Sequence, residues 1–165
     1  MTSFDDRPTR PGMVISLGLG LTAAFFAGSG TGLGVGMALV GGALLLGGLG
    51  LAVRPLLTAG GVVLFTAHLL RIGMGGSLEL SLVGATFAVA AWDVGEHAID
   101  LGEYVGRSAR SRHAVLAHAA ASLAVGLVPV GIGYGVYLLA PGGRPLSALV
   151  LLLLAVVLVT LGLRR

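Results

Sequence analysis

Asp93, Glu96, His97, Asp100 and Glu103 are five of the nine Asp, Glu and His side chains that follow Met13, all within one short run between Trp92 and Tyr104. Carboxylates and imidazoles can hold cations, relay protons or receive a basic partner. Their spacing is i, i+3, i+4, i+7 and its continuation to Tyr104, which puts them on one face of a helix. Val94, Ala98, Ile99, Leu101 and Val105 leave the opposite face apolar. Asp93 with His97, and Glu96 with Asp100, stand at i, i+4, a geometry that can share a divalent cation or pass a proton. His113 and His118 follow on the same side and would complete such a site. Against a metal centre, the chain has no His-Glu-x-x-His and no Glu-x-x-His, the pairing typical of helical di-metal bundles. It also has no cysteine, which removes disulfides, thiolate catalysis and Cys-ligated metals. No catalytic residue, metal or cofactor is assigned.

The elements that carry this run belong to an apolar protein. Of 165 residues, 56% are hydrophobic and 10% charged. Soluble domains carry about 25% charged residues, so this chain lacks the polar surface that water requires. A polar tail over 1–12 precedes a single transmembrane helical domain over 13–165. Its first apolar run, from Met13 to Ala27, has no clear small-residue cleavage site behind it and reads as an uncleaved first helix. The predicted class is all-α, a polytopic transmembrane helix bundle of about six spans, near 13–29, 34–53, 56–76, 78–98, 114–139 and 146–163. Four full spans remain if the third and fourth segments form a re-entrant pair around their short connection.

The breaks have physical causes. Gly28 to Gly32 is a flexible turn, Arg54-Pro55 ends one helix and starts the next, Gly73 to Ser77 is a Gly-rich bend, and Pro141 to Pro145 is the firmest loop. Gly28, Gly32 and Gly36, with Gly30 and Gly34, repeat at intervals of four, a pattern that lets helix backbones approach closely. All ten cations are Arg. With both termini inside, eight of them (Arg7, Arg10, Arg54, Arg107, Arg110, Arg112, Arg164, Arg165) fall on the inner side and two (Arg71, Arg144) on the outer, a positive-inside bias. Placement at span ends suits topology rather than phosphate binding, so nucleic acid is not an expected partner. His68 and Arg71, at i, i+3 near the outer end of the third segment, are expected to snorkel to the interface, and Glu79 to pair with Arg71 across the bend. Tyr134 and Tyr137 read as interfacial anchors, as does Trp92.

Three readings of the acidic face compete. In the first it is a helix leaving the membrane, its acids paired with Arg107, Arg110 and Arg112 of the following loop. In the second it docks a basic membrane or cytosolic protein. In the third it is a chemical site or pathway in a membrane interior where ionisable groups are costly.

Trp92-Asp93-Val94-Gly95-Glu96-His97, Leu101-Gly102-Glu103, Gly106-Arg107 and His118-Ala119 resemble an uncharacterised family of small haloarchaeal integral membrane proteins, the likeness lying almost wholly in residues 90–165. The resemblance implies a plasma-membrane protein, with gene neighbours encoding a MoxR-type ATPase and a von Willebrand-like domain protein. It implies no activity. The expected function is a non-enzymatic membrane subunit or scaffold that docks a partner through its acidic cytosolic helix, with Asp93, Glu96, His97, Asp100 and Glu103 as the contact residues. The alternative is a small oligomeric transporter or ion- or proton-conducting protein with the same residues along its pathway.

Overall fold

Gly-Pro-Arg punctuation divides the apolar chain into five helices in the computed structural model, which describes residues 5, 7–30, 32–107 and 111–139. They are α1 (Arg10–Gly28), α2 (Gly32–Leu51), α3 (Arg54–Gly73), α4 (Leu78–Val105) and α5 (Arg112–Leu139). Each is long and apolar enough to cross a bilayer; 20 residues rise about 30 Å, the thickness of a hydrocarbon core. The sixth expected span, 146–163, and the Pro141 to Pro145 loop lie outside the described residues. The third and fourth segments form α3 and α4, which run 20 and 28 residues without interruption, each long enough to span.

Helix ends follow local chemistry. Pro11 and Pro55 occupy the first turns of α1 and α3, where a missing N–H costs nothing. Ser77 caps α4, its hydroxyl accepting from Leu80 N at 3.2 Å. At the other end Gly106, at φ 81°, ends α4 with its N–H on Gly102 O at 3.0 Å. This helix outlasts its predicted span by seven residues because the acidic run is fully helical; loss of hydropathy there marks a change of surroundings, not of backbone.

The chain divides into two units, Met1–Val130 and Gly131–Arg165. In the second, the rings of Tyr134 and Tyr137 stack at 6.1 Å. In the first, α1 packs on α2 and α4, α2 on α3, and α3 on α4, closing a four-helix ring. Ala23, Leu45, Leu49, Leu57, Leu64, Ala88, Ala91 and Ile99 form its core. Val115 and Ala119 of α5 bury against Val94. Leu21, Phe25 and Leu39 point outward, which suits a hydrocarbon environment.

Small residues set the helix separations, and only part of the expected glycine stripe takes part: a Cβ on Gly28 would lie 3.8 Å from Val35, and Gly34 is buried. A Cβ on Gly32 or Gly36 would meet nothing within 4 Å. The close approach is between α2 and α3: a Cβ on Gly48 would lie 2.4 Å from Leu57 N, and one on Gly60 2.6 Å from Leu45 N. These two glycines bring backbone against backbone. Spacing by four identifies a stripe on a helix, and the neighbour decides whether it is used.

Candidate functional site

The acidic face of α4 divides into two groups that look in different directions. Glu96, Asp100 and Glu103 converge on Arg54, the first residue of α3. Its Nη1 donates to Glu96 Oε2 at 2.8 Å, and its Nη2 to Asp100 Oδ1 at 2.8 Å and Glu103 Oε2 at 2.9 Å. Electrostatics favours this place for carboxylates, because the free N–H groups of a helix start carry partial positive charge. The same acids are poorly placed on their own helix, whose C-terminal turns carry partial negative charge and whose last turn has no basic residue. Arg54 offsets that. Thr58, one turn along α3, extends the network: its hydroxyl lies 3.4 Å from Glu96 Oε1 and accepts from the Trp92 indole N–H at 3.2 Å. Trp92 is therefore tied to a polar network rather than acting as a free interfacial anchor.

For Arg107 and Arg112 the predicted pairing is replaced by this one. Among the described residues, Arg107 and Arg112 make no ion pair with the acids; Arg107 instead donates its backbone N–H to Asp5 O at 2.9 Å. Arg110 lies outside the described residues. Sequence proximity misled, because the i, i+4 acids face across to α3 and not forward along the chain.

Asp93 belongs to a second group, facing α5. Its Oδ2 accepts a short hydrogen bond from Ser122 Oγ and lies 2.8 Å from His118 Nε2, near enough for an ion pair but out of line for a hydrogen bond. His118 in turn stacks on His97, ring centroids 4.1 Å apart. Asp93 and His97 thus meet through His118 rather than sharing a cation directly, and His113 is exposed and takes no part. Among the described residues no three His, Asp or Glu side chains are grouped to hold a metal ion.

His68 is not at the interface. It is fully buried, its ring lying where a Gly84 side chain would be, 2.2 Å from an added Cβ. Neither ring nitrogen is in line with a hydrogen-bond partner, although the Ala23 backbone is nearby. Glycine at 84 makes room for an imidazole inside the bundle. Arg71 is half-buried and donates to Phe26 O, 2.9 Å away at the end of α1. Ser122 and Arg54 are the members of these clusters that sequence reasoning missed as partners. A lone Ser in an apolar helix carries no signal, whereas Arg54, an arginine beside a helix break, was visible but read only as a topology mark.

A family of unknown function (DUF7519) matches residues 6–160, and the chain belongs to it. The match takes in the Gly-rich first half as well as the region around the acidic run. No curated protein and no solved structure matches the chain.

Proposed function

We propose that this member of the family is a multi-pass membrane subunit, inserted in the plasma membrane with both termini cytoplasmic, that docks a basic protein on Glu96, Asp100 and Glu103. One observation carries the reading. Three carboxylates share a single guanidinium, and Asp100 and Glu103 keep 47% and 50% of their side chains exposed. A partner's Lys or Arg would meet negative charge that Arg54 holds in fixed positions but does not cancel. Preorganised charge of this kind favours specificity and fast encounter. The bundle behind it, fastened by backbone contact between α2 and α3, supplies a rigid base.

The test is affinity co-purification of tagged protein from native membranes in mild detergent. A stoichiometric partner that is lost from the Glu96→Gln, Asp100→Asn, Glu103→Gln triple variant, with insertion and helicity unchanged, is the expected result. Association that survives the triple variant would overturn the reading. The alternative, conduction by a small homo-oligomer, is favoured by one observation only: Asp93 and His118 line a cavity. It predicts a pH-dependent flux in proteoliposomes that Asp93→Asn abolishes, and a flux indifferent to that change rules it out.

A further inference from the structure

Between α3, α4 and α5 lies a cavity of about 720 Å³, within the roughly 300–1,000 Å³ span of small-molecule sites. Its walls are largely apolar, and Leu69, Val89 and Val125 are themselves exposed, Val125 by 74%. The cavity therefore opens sideways through the outer surface of the helices, where a bilayer would present acyl chains.

Few polar groups line it, and most are already satisfied. Ser81 and Thr86 donate to the carbonyls of Ser77 and Leu82 on their own helix. Two groups are not. One is His68, fully enclosed and without an in-line partner. The other is Asp93, whose contacts with described residues both fall on Oδ2. Ser122 is neutral and His118 is a cation only when protonated, so the carboxylate faces an apolar cavity with no permanent positive charge in contact with it among the described residues. A carboxylate with one conditional counter-charge beside apolar walls favours a ligand that brings its own cation.

The geometry points to a binding site for a lipophilic amine, its ammonium on Asp93 and its hydrocarbon body along Leu69, Val89 and Val125 toward His68. His68 packs over Gly84, nine residues before Asp93 on α4, a separation of about 13 Å at 1.5 Å per residue. That length accommodates an alkyl chain. This inference is independent of partner docking, which uses the other three acids.

The chain has one tryptophan, Trp92, and it lines the cavity. Bromine quenches indole fluorescence on contact, and Trp92 adjoins Asp93 at the ammonium end of the site, so 3-bromo-4-decylbenzylamine and its uncharged counterpart 3-bromo-4-decylbenzyl alcohol, with bromine near the head group, can be titrated into the whole chain in detergent. The amine should quench saturably at a concentration about tenfold below the alcohol, equivalent to ~1.4 kcal/mol. Asp93→Asn should remove the preference. Ala121→Leu, which narrows this cavity without touching the carboxylate or the smaller apolar cavity on the other side of Trp92, should abolish saturable quenching by both. Equal midpoints for amine and alcohol in the unaltered protein, a preference that outlives Asp93→Asn, or saturable quenching unchanged by Ala121→Leu would each overturn the assignment. Loss of a co-purified partner in the triple variant bears on none of these readings.

Discussion

The two sides of α4 solve the same problem differently. Toward α3, carboxylates meet a guanidinium, which is charged at every pH a protein survives, and the helices behind it touch backbone to backbone. Toward α5, a carboxylate meets a histidine and a serine beside a cavity. The first side is backed by tight packing and holds a permanent though partial counter-charge; the second is open and compensated only conditionally. Residues of one type, a turn apart in one run, are assigned to scaffold or to site by what faces them.

The largest effect should separate tight from open packing. Gly60→Val would drive a side chain into the Leu45 backbone and is expected to cost about 3 kcal/mol, whereas Ala121→Leu on the cavity wall should change stability little. Unfolding midpoints in detergent check this, and comparable losses would erase the contrast. Next, Arg54→Gln should cost about 1–2 kcal/mol, since it strands three partly exposed carboxylates whose single pairs are each worth ~1 kcal/mol or less. Arg54→Lys should recover only part of that loss, because one ammonium cannot fork to three acids. Full recovery would show that charge alone matters. Asp93→Asn should have the smallest effect, under about 1 kcal/mol, since the amide can still accept from Ser122. A loss as large as that of Arg54→Gln would show both sides to be structural.

Much of this was legible in the sequence. Hydropathy, Arg54-Pro55 and Gly73 to Ser77 give the helices of the described residues to within a few positions, apart from the extended end of α4. The i, i+3, i+4 spacing grouped Glu96, Asp100 and Glu103 toward one neighbour, but not Asp93, which turns to α5. Periodicity could not say which helix lies opposite, because Arg54 is 42 to 49 residues from its acids and Ser122 is 29 from Asp93. The same limit explains Gly32 and Gly36, which have close-packing spacing but no neighbour, and His68, whose place inside the bundle depends on a glycine one helix away.

The N-terminal tail bears on how the molecule is made. Thr9 donates its backbone N–H to Ala98 O at 3.1 Å, and a Cβ on Gly12 would lie 2.3 Å from that of Ala98. Ribosomes add about 5–20 residues per second, so the start of α1 waits several seconds for the partner it must close upon. Until α4 emerges, Ser16 also lacks the Ala91 carbonyl that receives its hydroxyl at 2.6 Å. The face of α1 that meets α4 is therefore made well before its partner, and biogenesis must shelter its small polar residues in the interval.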